Sequence, residues 1–179
     1  MLIGKISRVC SLFLLACILL SGCQKPATYV QDATVILEQG DPLEARALFE
    51  KAISVGTQKA EAYRGLAICY YEEEDYLKAR GAFSKALHEG TKETGSFYHL
   101  WGTCEMKVGE MKASIDLFEK GLALGDASPE AAKEMEFNII SAYESLKDYD
   151  TVRAKLADYI AKYPDDEVAK KEADFFATQ

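Results

Sequence analysis

The sequence predicts an all-α fold built from about four pairs of helices. Four turn segments carry an acidic residue, namely Asp41, Asp75, Glu110 and Asp148, at intervals of 34, 35 and 38 residues. Apolar residues on both sides of each turn recur with the period of a helix. Hydrophobic residues make up 49% of the 179 residues, which is enough to form a folded core.

The first 22 residues have the proportions of a signal peptide for export. Lys5 and Arg8 are their only charged residues, and the apolar run 9–20 that follows is interrupted only by Ser11. A basic start followed by about a dozen apolar residues is typical of a secretory signal. A permanent membrane helix is the weaker alternative, because it would need roughly 20 apolar residues.

Four residues at the end of this segment are informative about its processing: Leu20, Ser21, Gly22 and Cys23. They resemble the lipobox of bacterial lipoproteins, in which the signal peptidase cuts before the cysteine and the cysteine sulfur carries a diacylglyceryl group. The resemblance implies that residues 1–22 are removed, that Cys23 is the lipidation site and that residues 23–25 form a short tether. It further implies an exported protein on the outer face of the cell membrane, or in the outer membrane if the host has one.

Processing of this kind would also change the charge of the protein. Removing 22 of the 179 residues leaves 157, and the loss of Lys5 and Arg8 lowers the net charge from −8 to −10. An anionic lipid surface repels such a chain, so membrane residence would depend on the acyl chains. Two or more acyl chains anchor a protein stably, whereas one does not.

The second helix pair shows the repeat pattern most clearly. Its first helix combines aromatic and small residues at fixed spacing, and its second helix places Phe83 between two alanines. The pattern resembles the tetratricopeptide repeat. A small residue lets two helices approach closely, while an aromatic residue fills the gap between them. The positions that carry the pattern are Tyr63, Leu66, Ala67, Tyr70, Ala79, Phe83 and Ala86.

The resemblance implies a right-handed α/α superhelix of about four repeats. The expected boundaries are 26–59, 60–94, 95–128 and 129–164, followed by a C-terminal capping helix and tail over 165–179. We expect the acidic turn residues to cap the second helices. Ser128 and Pro129 mark a helix start. Asp165 is expected to cap the last helix, whose Val168, Ala169, Phe175 and Phe176 should contact the fourth repeat.

The family resemblance also implies a site for a protein partner. In related domains the first helices of the repeats line a concave groove that holds an extended peptide or a helix. Carried over residue by residue, the groove positions are Val30, Thr34, Leu37, Arg64, Ile68, Tyr71, His99, Thr103, Met106, Phe137, Ser141 and Glu144.

Other functional classes find little support in the sequence. The acidic balance argues against nucleic-acid binding, which needs a basic surface. His88 and His99 have no motif that pairs them with a nucleophile or a second ligand, and no Cys-x-x-Cys pair or phosphate-binding glycine loop is present. The run of acidic residues 72–75 is better explained as a solvated turn than as a calcium loop. We therefore expect no enzyme activity, catalytic residue, metal or cofactor.

The sequence thus predicts a lipid-anchored adaptor that binds protein on the outer face of a bacterial membrane. Assembly of envelope, pilus or secretion machinery is suggested by analogy at the level of the fold alone. The alternative is a lipoprotein that binds a soluble ligand or a cell-wall component in a closed pocket. Cys69 and Cys104 occupy the same position in adjacent repeats, about a helix diameter apart, and should remain free and buried.

Overall fold

The computed structural model describes residues 28–178, and this part of the chain contains nine helices and no strand. The all-α prediction is therefore confirmed. We number the helices in chain order. They are α1 (Tyr29–Glu38), α2 (Pro42–Ser54), α3 (Lys59–Glu72), α4 (Tyr76–His88), α5 (Gly95–Lys107), α6 (Met111–Leu124), α7 (Pro129–Ser145), α8 (Tyr149–Lys162) and α9 (Glu167–Phe176).

The helices form four consecutive pairs, and α9 packs on α8 at the end of the array. We refer to α1, α3, α5 and α7 as the first helices and to α2, α4, α6 and α8 as the second helices. Each first helix also packs directly on the next first helix. The array is a right-handed superhelix, as predicted, and the closely spaced first helices lie on its inner side.

The interior follows the alternation of small and large residues. Phe118 of α6 fills the space above Gly102 of α5, where a Cβ atom would lie only 2.6 Å from the ring. Phe49 lies against Gly65 in the same manner, at 2.2 Å from the hypothetical Cβ. These distances leave no room for a side chain, so glycine is required at both positions.

The fourth pair reaches the same packing with different residues. At the positions that correspond to Gly102 and Phe118 it has Ile140 and Leu156, and both are fully or almost fully buried. The larger residue on the first helix and the smaller one on the second keep the combined volume similar. Cores tolerate volume-conserving exchanges of this kind.

Three of the four acidic turn residues cap the helix that follows. The carboxylates of Asp41, Asp75 and Asp148 accept hydrogen bonds from the backbone N–H groups three residues later, at 2.9, 3.2 and 3.2 Å. Glu110 makes no such bond with its side chain. At the start of α7 the Ser128 hydroxyl accepts a bond from the N–H of Ala131, with Pro129 in the first turn as expected.

The C-terminal helix differs from the prediction in its cap. Asp166, not Asp165, caps α9 by accepting bonds from the N–H groups of Val168 and Ala169, both at 3.2 Å. The reason is a turn at Pro164 that the N–H of Asp166 closes onto the carbonyl of Tyr163. This turn includes Asp165, so Asp166 is the first residue free to cap the helix.

The buried face of α9 also corrects the prediction. Ala169 and Phe176 are buried against the fourth repeat, whereas Val168 and Phe175 are 66% and 55% exposed. A helix of ten residues can direct only one stripe toward the core. Ala169 and Phe176 form that stripe, and Val168 and Phe175 lie beside it.

Two partly buried arginine–glutamate pairs join the first three repeats. Arg46 of α2 binds Glu73 at 2.7 Å, just after the end of α3. At the equivalent position of the next repeat, Arg80 binds Glu105 at 3.0 Å, and the Trp101 indole donates to the same carboxylate at 2.9 Å. Glu105 is only 4% exposed, so Arg80 compensates the charge of a carboxylate that the fold buries.

The predicted signal segment, lipobox residues and tether lie outside the described residues. Within 28–178 no helix is both long enough and apolar enough to cross a membrane.

Candidate protein-binding groove

The inner side of the superhelix carries an open groove between successive first helices. α1 packs on α3, α3 on α5 and α5 on α7. The sequence placed all twelve candidate residues on these four helices. Two cavities lie along these helices, one between α1 and α3 and the other where α7 meets α8 and α9.

The N-terminal cavity lies between α1 and α3 and has a volume of about 610 Å³. We call it the α1/α3 cleft. It brings together the predicted groove residues of the first two repeats, except for Tyr71. They are Val30, Thr34, Leu37, Arg64 and Ile68.

The charges in the α1/α3 cleft are mixed. Arg64 has no ion-pair partner within 4.0 Å among residues 28–178. Glu38 and Glu61 line the same cleft and are exposed. Gln31 and Gln58 link its two walls by a hydrogen bond of 3.4 Å. The cleft therefore offers both a cation and carboxylates to a partner.

The C-terminal cavity lies where α7, α8 and α9 meet and has a volume of about 380 Å³. We call it the α7/α9 pocket. Phe137 is the one predicted groove residue in it. The ring of Phe137 lies 5.4 Å from the ring of Tyr159, and together with Val168 these rings form an apolar floor. The other lining residues are Glu130, Lys133, Glu134, Asn138 and Asp166.

Asp166 is the most strongly held carboxylate of this pocket. It binds Lys133 at 2.9 Å and accepts a hydrogen bond from the Tyr159 hydroxyl at 3.0 Å. The bond from Lys133, with the backbone bond from Ala169, lowers the pKa of Asp166 to about 2. Lys133 is therefore neutralised by a carboxylate that remains ionised under ordinary conditions.

The middle of the groove is shallower. Thr103 is only 8% exposed and lies beneath the surface rather than on it, as does Val30 at the N-terminal end. His99 is largely covered, and its Nε2 atom lies 3.4 Å from a carboxylate oxygen of Glu134 on the next first helix. Tyr71 and Met106 are half-buried and pack partly on the core.

Three predicted groove residues each make the same kind of hydrogen bond within their own helix. The hydroxyls of Thr34, Thr103 and Ser141 occupy equivalent positions, and each donates to the carbonyl four residues earlier, at 2.8, 2.9 and 3.3 Å. Serine and threonine often bond in this way inside helices. Since each hydroxyl already donates within its own helix, it remains available only as an acceptor.

The acidic run 72–75 and the two cysteines are candidates for chemistry by residue type, but the contacts that they make are structural. Glu73 of the acidic run binds Arg46, and Asp75 caps α4. Cys69 and Cys104 are free and buried, and burial raises the pKa of each thiol to about 12. Among residues 28–178 no group of three or more histidine, cysteine or acidic residues could hold a metal ion.

Sequence reasoning missed most of the α7/α9 pocket. Glu130, Glu134, Phe137 and Asn138 follow the helical spacing of one face of α7, which is a signal that the sequence contains. Val168 could not be assigned to the pocket, because its exposure depends on the exact start of α9.

Stacked helix pairs with an open groove on their inner side are the architecture of a helical solenoid. A tetratricopeptide repeat family model matches residues 33–93, which cover all but the first turn of the first two helix pairs. Residues 33–93 therefore match the tetratricopeptide repeat family in sequence, and the described chain as a whole has the tetratricopeptide-repeat fold.

Solved structures with the same fold are similar to the chain over most of its length. The structure of YrrB, described as a tetratricopeptide-repeat protein with an unusual peptide-binding site, shares 23% identity at a TM-score of 0.72. The match covers 84% of this chain and 75% of that one. A double mutant of MamA shares 15% identity at a TM-score of 0.70, covering 88% and 86% of the two chains.

A tetratricopeptide repeat protein from Parabacteroides merdae is similar at 17% identity and a TM-score of 0.64. Here the match covers 87% of this chain and 59% of the other. No curated protein matches the chain in sequence. Identities at this level show the fold alone.

Proposed function

We propose that the chain is an exported, lipid-anchored adaptor that binds a protein partner in its concave groove on the outer face of a bacterial membrane. The observation that carries the proposal is the open groove itself. Its floor has half-exposed apolar residues such as Leu37, Ile68 and Phe137, and Arg64 has no ion-pair partner among the described residues.

The form of the cavities supports a protein partner over a small soluble ligand. A site for a soluble ligand encloses most of the ligand surface. The α1/α3 cleft and the α7/α9 pocket are both open to solvent, as contact with an extended segment or a helix requires. The description of YrrB as having a peptide-binding site agrees with this use of the fold.

The anchoring part of the proposal is based on the sequence. The lipobox-like residues 20–23 follow a segment with the proportions of an export signal. Only two residues, Gln24 and Lys25, separate Cys23 from the start of the first repeat at 26, and each residue spans at most ~3.5 Å. The groove would therefore be held close to the membrane, as suits a part in assembling envelope, pilus or secretion machinery.

The anchor is tested with Cys23→Ser. We expect this variant to lose labelling by a palmitate analogue and to accumulate as unprocessed precursor, because only a thiol can form the thioether. The parent chain labelled in parallel serves as the control. Labelling that persists in Cys23→Ser would contradict the anchoring proposal.

The groove is tested in cells with a photo-crosslinking amino acid placed at Ile68 or Met106. We expect both positions to yield the same crosslinked protein. Leu43 and Leu77 are matched control positions, since they are apolar, lie on second helices and are 63% and 67% exposed. Crosslinking from Leu43 and Leu77 instead of the groove positions would place the partner on the outer surface and refute the proposal.

A further inference from the structure

The α7/α9 pocket combines an apolar floor with carboxylates that have no strong cationic partner. Phe137 and Tyr159 form the floor, and Val168 is exposed at its edge. Apolar side chains exposed next to a cavity indicate contact with another molecule more often than isolated ones do.

The charges of this pocket do not cancel. Lys133 is occupied by Asp166 at 2.9 Å. Glu130 has no ion-pair partner among the described residues, and the nearest basic group to Glu134 is His99, which is charged only when protonated. Two negative charges therefore remain beside the apolar floor.

The distribution of charge over the whole superhelix has the same sign. The first helices contain nine acidic and four basic residues, whereas the second helices contain six acidic and ten basic residues. The first helices are thus negative relative to the second helices. A field of this kind favours a positively charged partner and disfavours a negative one.

We propose that the α7/α9 pocket accepts a lysine or arginine side chain of the protein partner. This inference rests on the proposed function of the groove. The methylene stem of such a side chain would lie on Phe137 and Val168. Its cationic end would meet Glu130 and Glu134, where hydrogen bonds to a carboxylate are strengthened by charge.

The two ends of the groove differ in their balance of positive and negative charge. In the α1/α3 cleft the guanidinium of Arg64 partly offsets Glu38 and Glu61. The α7/α9 pocket has no such free cation, since Lys133 is engaged by Asp166. Selection for a basic side chain is therefore located at the C-terminal end.

The test measures binding of two fluorescein-labelled model peptides to the full chain in non-ionic detergent. Both are amphipathic peptides of the same length and leucine pattern, one with lysine and one with glutamate at every polar position. We expect the lysine peptide to bind about tenfold or more tightly than the glutamate peptide, as judged by fluorescence anisotropy. The preference should decrease with added salt.

Two matched double variants test whether the pocket causes the preference for the lysine peptide. Glu130→Gln with Glu134→Gln should weaken binding of the lysine peptide about tenfold. Asp116→Asn with Glu119→Gln removes the same charge from exposed positions of α6 and should leave binding unchanged. Thermal unfolding of both double variants checks that they remain folded.

Three outcomes would overturn the inference: equal affinity for the two peptides, no saturable binding of the lysine peptide, or equal weakening by both double variants. The crosslinking experiment at Ile68 and Met106 tests the proposed function independently of the peptide measurements. Crosslinks from Ile68 and Met106 combined with equal peptide affinities would leave the groove as the binding surface and reject only its preference for a basic side chain.

Discussion

The space between paired helices is tightly packed, whereas the groove between first helices is open. Between the helices of a pair, a Cβ on Gly102 would come within 2.6 Å of Phe118, so these two residues constrain each other. In the groove, a cleft of about 610 Å³ separates α1 from α3, and its residues are partly exposed. The repeat pattern therefore specifies the fold, while packing constrains the groove side chains less.

The largest expected effect comes from the interior. Phe83 is completely buried and packs against Phe97 and Trp101, with ring centroids 5.4 and 6.3 Å apart. Phe83→Ala should lower the free energy of unfolding by about 3–5 kcal/mol. Urea unfolding followed by circular dichroism measures the change. A loss below about 1 kcal/mol would show that the aromatic cluster does not hold the repeats together.

Two glycines should respond to the same substitution with opposite sign. Gly102→Ala forces a methyl group into Phe118 and should destabilise the chain by about 1–3 kcal/mol. Gly81 lies on the exposed face of α4, with nothing within 4 Å of its hypothetical Cβ. Gly81→Ala should therefore stabilise the chain by about 0.5–1 kcal/mol. Thermal melting of the two variants compares them directly, and a shift of equal sign would contradict the packing.

A smaller loss is expected where a charge is buried. Arg80→Met leaves the carboxylate of Glu105 with Trp101 as its remaining donor, and we expect a loss of about 1–2 kcal/mol. Arg153 occupies the equivalent position of the fourth repeat, where it pairs with the exposed Asp150. Arg153→Met should change stability by less than about 0.5 kcal/mol. Equal losses would mean that burial of Glu105 adds nothing.

The sequence predicted the parts of the fold that depend on local spacing. The caps at Asp41, Asp75, Asp148 and Ser128 follow from residues within one turn of each helix, and the structure contains all four. Glu110 departs from this pattern, and no contact in the structure explains why its side chain leaves the helix start uncapped. The cap of α9 depends on the turn at Pro164, which shifts the helix start by one residue.

The groove could be predicted only in outline. Repeat position placed Val30, Thr34, Leu37, Arg64 and Ile68 on neighbouring helices, and these five residues do line one cleft. The burial of Thr103 and the approach of His99 to Glu134 depend on how closely α5 and α7 pack, which no local pattern records. Whether the candidate residues bind a partner stays a prediction.

The central claim is that the groove binds the partner and contributes little to the fold. Tyr71 and Phe137 are imperfect probes of this claim, because both pack partly on the core. Charged residues separate the two roles better. Arg64→Gln and Glu134→Gln remove a charge from the inner surface without leaving a cavity.

The most direct measurement determines, in the same variants, the thermal unfolding midpoint and the yield of partner crosslinked from Met106. The account predicts that Arg64→Gln and Glu134→Gln melt like the parent chain but give less crosslinked partner, whereas Leu77→Ser on the outer surface changes neither quantity. Undiminished crosslinking in both groove variants, with loss in Leu77→Ser, would contradict it.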